Sequence, residues 1–102
     1  MFVRMAHWEC RPECWDKAVE MFENRALPVL EKQPGILRAQ LTGESDSGKR
    51  IAITYWESEE AHSVFAASPA LAEITDIFLD MYVDGVRPEG FFYPVIREQA
   101  FA

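Results

Sequence analysis

Four stretches of the chain alternate apolar and polar positions, and the stretches between them repeat apolar residues at helical spacing. The first strand is predicted over Phe2–Glu9, where every second side chain falls on one face of a pleated strand. One face carries Val3, Met5 and His7, and the other carries Phe2, Arg4, Ala6 and Trp8. Because both faces hold apolar groups, the strand needs cover on both sides.

A long helix is predicted next, from near Pro12 to near Lys32. Pro28 removes one backbone hydrogen bond inside it, so a kink or a tightened last turn is expected there. The sequence Gln-Pro-Gly at 33–35 ends the helix. The apolar positions on which this prediction rests are Trp15, Ala18, Val19, Phe22, Ala26, Val29 and Leu30.

Two strands joined by turn residues follow and predict a β-hairpin. The second strand covers Ile36–Thr42, with Leu37, Ala39 and Leu41 expected in one apolar row. The third covers Arg50–Glu57. Two helices then begin at residues that suit the helix cap: Ser58, and Ser68 before Pro69.

The last strand is predicted over Phe91–Arg97, and Pro94 places it at an edge of the sheet because proline cannot donate to a central ladder. The order is β-α-β-β-α-β. With right-handed crossovers it predicts an α+β, ferredoxin-like fold: a four-stranded antiparallel sheet in the order 4-1-3-2 with helices on one face. If Trp56 faces the helices, the uncovered face is expected to carry Phe2, Ala6, Trp8, Ile51, Ile53 and Tyr55. A second copy of the chain is the expected cover.

Length and composition limit the number of domains and the kinds of partner. The 102 residues predict one domain over 1–102, and a hydrophobic fraction of 49% favours self-association. A net charge of −7 without a Lys or Arg cluster argues against nucleic acid and anionic membranes as partners. The N-terminal segment has charges inside its apolar run, so we expect neither a signal peptide nor a membrane span, and a cytoplasmic protein.

The two cysteines, Cys10 and Cys14, are too few for a disulfide framework or a four-ligand zinc site. Free thiols are therefore expected, and no metal site is predicted. A redox or metal role for this pair is the less favoured alternative.

Several local motifs resemble the antibiotic biosynthesis monooxygenase-like group of the dimeric α/β-barrel superfamily. They are Gln33-Pro34-Gly35-Ile36, Thr54-Tyr55-Trp56-Glu57-Ser58, Glu59-Glu60-Ala61 and Ser68-Pro69. The resemblance covers nearly the whole chain. It implies a homodimer whose two sheets pack as a barrel, with a pocket between sheet and helices in each subunit. Proteins similar to this include cofactor-independent oxygenases of phenolic compounds, haem-degrading enzymes, small isomerases and domains without known activity.

The resemblance implies the candidate site residues. Trp56 ends the third strand and is expected to stack on a flat substrate, although a buried core tryptophan would have the same sequence pattern. Haem-degrading relatives carry a haem-ligating His on the last helix; Thr75 falls near that position, and Ser68–Met81 contains no His. Haem degradation is therefore disfavoured, and Thr75 is expected to contact substrate.

His7 is the candidate catalytic base, because a neutral imidazole can take a proton from a phenol before electron transfer to dioxygen. Met5, on the same strand face, is expected to contact substrate, and that face is expected to meet the helices. His62 is interpreted as a solvated residue on a helix surface.

Two functions stay open: a cofactor-free oxygenase of a small aromatic or quinol-type compound, and a non-catalytic module that binds an apolar ligand or dimerises.

Overall fold

The computed structural model describes residues 1–102 and contains one four-stranded antiparallel sheet. Its strands are β1 (Phe2–Glu9), β2 (Ile36–Glu44), β3 (Lys49–Trp56) and β4 (Glu89–Pro94), in the order β2-β3-β1-β4. This confirms the predicted order 4-1-3-2, with the helices on one face. The last strand lies at an edge, as Pro94 requires, and ends at that proline rather than at Arg97.

The helices are α1 (Trp15–Met21), α2 (Leu27–Glu31), α3 (Glu59–Ala67) and α4 (Pro69–Ile77). Short 3₁₀ turns lie at Pro12–Cys14, Leu79–Met81 and Val83–Gly85. Two serines cap helices as predicted: the Ser58 hydroxyl accepts from the Ala61 N–H, and the Ser68 hydroxyl accepts from the Ala70 N–H. None of the helices combines the length and the apolar character that a membrane crossing requires.

The predicted long helix is continuous but contains a π-helical turn at Phe22–Ala26, between α1 and α2. The Leu27 N–H donates to the Phe22 carbonyl, five residues earlier. A proline ring clashes with the carbonyl four residues before it, and the wider turn gives room for the ring of Pro28. The last turn is tightened as expected, because the Gln33 N–H donates to the Leu30 carbonyl, three residues earlier. The π-helical turn was not expected.

The strand register decides which residues face the helices. Phe2 lies opposite Trp56, and residues paired across strands share a face. Since Trp56 is fully buried under the helices, Phe2, Ala6 and Trp8 are buried with it. Their predicted position on the uncovered face was wrong.

The uncovered face instead carries His7 and Met5, which were expected under the helices. It includes Val3, Met5, His7, Ile51, Ile53, Tyr55, Phe91 and Tyr93. The prediction that the sheet leaves an apolar face bare is confirmed. The side of β1 that lies on this face is the opposite of the one expected.

A β-bulge between Ile36 and Arg38 shifts the register of β2 against β3. Leu37 is the residue left over, and 51% of its surface is exposed. Ala39 and Leu41 keep the predicted row, opposite Thr54 and Ala52. Leu37 was wrongly placed in that row because a bulge changes the alternation at one position.

Candidate functional site

A half-enclosed cavity of about 260 Å³ lies between the sheet and the helices. Its floor comes from β1, β2 and β3, and its walls come from the long helix, α3, α4 and the segment before β4. Most of the lining is aliphatic or aromatic. The hydrophobic residues that line the cavity include Trp8, Phe22, Leu30, Leu41, Phe65, Leu71, Ile74 and Phe78.

Arg4 is the charged group on the cavity floor. It projects from the centre of β1 to the helix side, and its Nε is buried without a hydrogen-bond partner. Its guanidinium carbon lies 5.8 Å from the centre of the Phe92 ring. Burial lowers the pKa of Arg4, and no carboxylate lines the cavity to offset the desolvation. Arg87, at the opening, is the second cation among the lining residues.

Tyr82 and Thr75 form the polar part of the wall. The Tyr82 hydroxyl donates to the Thr75 carbonyl over 3.1 Å, and the Thr75 hydroxyl donates to the Leu71 carbonyl over 3.0 Å. Burial raises the pKa of Tyr82 to about 12. Tyr82 therefore keeps its proton at neutral pH. The structure places Thr75 at the cavity, where a substrate contact was expected.

Trp56 does not line the cavity. Its ring stacks on Phe65 with centroids 4.8 Å apart, and its indole N–H donates to the Thr54 hydroxyl over 3.0 Å. Together with Phe2 and Leu30 it forms a separate core cluster. Trp56 contacts the cavity only indirectly, because it holds Thr54 and Phe65, and both of these residues line the cavity.

His7 and Met5 lie on the bare sheet face, away from the cavity. The His7 ring meets Phe91 edge-on at 5.2 Å, and the residue is exposed in the single chain. Met5 lies beside it, opposite Ile53 and Phe91. The structure therefore separates these two residues from Thr75, although the sequence analysis grouped them. The catalytic role assigned to His7 stays a prediction.

His62 is buried, which the sequence analysis missed. Only 5% of its surface is exposed, and its ring packs on Phe92 at 4.6 Å and near Phe2 and Trp56. Its Nε2 has no hydrogen-bond partner. Burial, and secondarily the positive charge of Arg4, lower its pKa. The neighbouring Ala61 and Phe65, both apolar positions on the same helix side, were the available signal for burial.

The His62 environment predicts a stability that depends on pH. The folded protein holds this imidazole neutral below its ordinary pKa, so the unfolded chain binds an extra proton as the pH falls. The free energy of unfolding should therefore be largest above the ordinary pKa of His, near 6.5, and decrease as the pH falls below it. Urea unfolding of the wild type and of His62→Phe at a series of pH values measures this. The wild type should lose more stability between neutral and mildly acidic pH than the variant, and parallel losses would contradict the assignment.

Neither the two cysteines nor the residues that could bind a metal form a second candidate site. Cys10 and Cys14 are free, and burial raises the pKa of the Cys10 thiol. No group of three or more His, Cys, Asp or Glu residues is placed to hold a metal ion.

Comparison with known proteins identifies the family of this chain. A sequence model of the family described as antibiotic biosynthesis monooxygenase matches residues 1–76. The chain belongs to that family. A comparison with curated protein sequences finds no match.

Two solved structures of named activity have the same fold. A monooxygenase from the ActVA-Orf6 gene of Streptomyces coelicolor, in complex with nanaomycin D, is 23% identical with a TM-score of 0.80, over 99% of this chain and 92% of the other. The haem degrader MhuD from Mycobacterium tuberculosis, with two haems bound in its active site, is 23% identical with a TM-score of 0.73, over 98% of this chain and 100% of the other. At these identities the likeness shows the fold alone.

Haem does not fit the residues of the cavity. No His, Cys or Met is among the lining residues, so the usual axial ligands are missing there. Tyr82 is the remaining ligand type, but its hydroxyl is committed to the Thr75 carbonyl and its pKa is raised to about 12. Ligation would require the loss of that proton and that hydrogen bond.

Proposed function

We propose that this protein is a homodimer that binds a small aromatic compound of phenol or quinol type and oxidises it with dioxygen, without a metal or organic cofactor. The observation that carries the proposal is the cavity: apolar walls around a half-buried arginine whose Nε has no hydrogen-bond partner. Its volume of about 260 Å³ is below the range of about 300–1,000 Å³ for drug-sized ligands, so a compact ring system fits best.

The chemistry that such a cavity supports is oxidation of an anionic ring. In an anthrone, for example, a ring CH₂ reacts with dioxygen to give a C=O group and water. The compound loses a proton from this CH₂ to solvent before it enters the cavity, which leaves an enolate whose charge rests largely on oxygen. A guanidinium on the cavity floor stabilises that oxygen, and the apolar walls keep water from the reactive carbon. Arg4 supplies this charge in the arrangement described.

The bare face of the sheet supports the homodimer in this proposal. The bare face is built of large apolar side chains on three of the four strands, and a partner sheet of the same kind can cover them. The cavity itself is formed within one chain. The dimer therefore serves to keep the sheet, and with it the cavity floor, in place.

Oxygen uptake with a panel of anthrones and dihydroquinones tests the oxygenase. Ala52→Leu enlarges a side chain on the cavity floor and should lower turnover at least about tenfold, whereas Ala66→Leu, on the exposed surface of α3, should leave it unchanged. Oxygen uptake by the wild type no faster than without protein, for every compound of the panel, would overturn the oxygenase.

A second candidate function is binding without turnover. The titratable residues that line the cavity are Arg4, Tyr82 and Arg87, and none of them is a base at neutral pH. That observation favours a carrier or sensor of the same class of compound. Native mass spectrometry of the purified protein distinguishes the two, because a retained ligand without oxygen uptake indicates binding alone.

The base role of His7 can be tested in the same assay. His7→Ala that abolishes oxygen uptake while the protein stays dimeric would support it. Unchanged uptake would remove it and leave deprotonation to solvent.

A further inference from the structure

Two hydrogen-bond donors lie side by side on the cavity floor. Arg4 on β1 is directly opposite Thr54 on β3, and both face the helices and line the cavity. Directly opposite residues of an antiparallel pair have Cβ atoms about 5 Å apart. Both side chains can therefore reach one atom of a ligand.

Arg4 has hydrogen-bonding capacity that the protein leaves unused. Its Nε is buried and has no acceptor, and no carboxylate lines the cavity. The charged groups nearest to it do not compensate: Tyr82 keeps its proton, Arg87 is a second cation, and His62 is held neutral. Burying a guanidinium N–H without an acceptor is costly even in a half-buried arginine, so an acceptor of negative charge is the missing group.

Trp56 orients the hydroxyl of Thr54. The Thr54 oxygen already accepts the indole N–H over 3.0 Å, and Trp56 cannot turn away because it is fully buried and stacked on Phe65. The hydroxyl hydrogen of Thr54 has no acceptor on the protein. Thr54 is itself only 5% exposed, so that hydrogen is available to a ligand in the cavity rather than to bulk solvent.

We infer that Arg4 and Thr54 form a two-donor subsite that selects a ligand oxygen in its anionic, acceptor-only form. The inference rests on the proposed function for the place of the ligand, and it adds which form of the ligand is bound. A phenolate or enolate oxygen accepts from both donors and pairs with the guanidinium. A neutral ether oxygen forms weaker hydrogen bonds and leaves the guanidinium without a counter-charge.

The subsite also assigns a positioning role to Trp56. This residue does not line the cavity, yet its N–H occupies one lone pair of the Thr54 hydroxyl and so orients the hydroxyl that donates to the ligand. The sequence motif Thr-Tyr-Trp at 54–56 thus puts donor and orienting group on the same face of one strand.

The test compares two probes at neutral pH: lawsone, a hydroxynaphthoquinone that is an anion there, and its methyl ether, which is neutral. Calorimetric titration of the wild type should show lawsone binding at least about tenfold more tightly. Arg4→Met and Thr54→Val should each bring the ratio of the two dissociation constants close to one. Arg4→Lys and Thr54→Ser keep a cation and a hydroxyl, and should retain a clear preference for lawsone.

The outcomes separate the inference from the proposed function. Equal binding of both probes to the wild type, or an unchanged preference in Arg4→Met, overturns the subsite and leaves the aromatic ligand in place. Binding of neither probe overturns both. Thr54→Val leaves the indole N–H without an acceptor, so circular dichroism must show that it is folded. If it is not, Arg4→Met and the wild-type ratio decide alone.

Discussion

Ile53→Lys is expected to convert the protein from a dimer into a monomer. Ile53 lies in the middle of the bare sheet face, opposite Met5 on one side and Gln40 on the other. An amino group placed there would have to lose its water in an apolar interface without a carboxylate opposite it, which costs several kcal/mol, on the order of the net free energy of many dimers. In the single chain the same lysine stays in water, so the fold of the protomer should survive.

Sedimentation velocity at micromolar concentration measures this change. The wild type should sediment at twice the protomer mass of 11.7 kDa, and Ile53→Lys at that mass itself. Val64→Lys adds the same charge on α3, where 59% of the valine is already exposed, and should remain dimeric. A wild type that sediments as a monomer would show that the bare face needs no second copy, and the homodimer would have to be given up.

Trp56→Ala is expected to lower the free energy of unfolding by about 3–5 kcal/mol, a large part of the about 5–15 kcal/mol that holds a typical domain. The residue is fully buried, stacks on Phe65 and is the donor to Thr54. Its removal leaves a large void in the core cluster. The stacked ring loses its partner, and the threonine loses the group that orients its hydroxyl.

Urea unfolding at one fixed protomer concentration checks this prediction, because the stability of a dimer depends on concentration. Leu37→Ala is the matched control: it also removes apolar atoms, but from a bulge position that is 51% exposed, and it should change stability by no more than about 0.5 kcal/mol. A loss below about 1 kcal/mol in Trp56→Ala would mean that the ring does not anchor the core.

The order of elements and the order of strands were predictable from residues with strong local preferences. Pro94 can lie only at an edge, and the serines at 58 and 68 cap the helices that they were expected to begin. Turn residues between β2 and β3 fix a hairpin. These signals act within a few residues along the chain, which is why sequence reasoning finds them.

The facing of β1 was not predictable from its own pattern. Apolar residues occupy both faces of this strand, so alternation does not say which face lies inside. The pairing of Phe2 with Trp56 decides it, and that pairing is a property of the register between strands distant in sequence. The error moved Met5 and His7 from the bare face to the helix side.

The residues of the cavity also differ in how far the sequence could predict their positions. Thr75 was assigned from the resemblance, by its distance along the chain from Trp56, and the structure has it among the lining residues. Its contact with substrate stays a prediction. Arg4 shares a strand face with Phe2, Ala6 and Trp8, which was expected to be uncovered, so Arg4 was not predicted to line the cavity. Trp56 could not be distinguished as core or pocket, because burial against Phe65 depends on how α3 packs on the sheet.

The π turn at Phe22–Ala26 gives the long helix one residue more than a regular α-helix would hold over the same length. Each residue in a helix turns the chain by about 100°, so the segment before the turn is rotated by roughly that amount relative to a regular continuation. Phe22 begins the turn and borders the cavity. A single-codon deletion in this region would be a short evolutionary route to a differently shaped binding chamber in an otherwise unchanged scaffold.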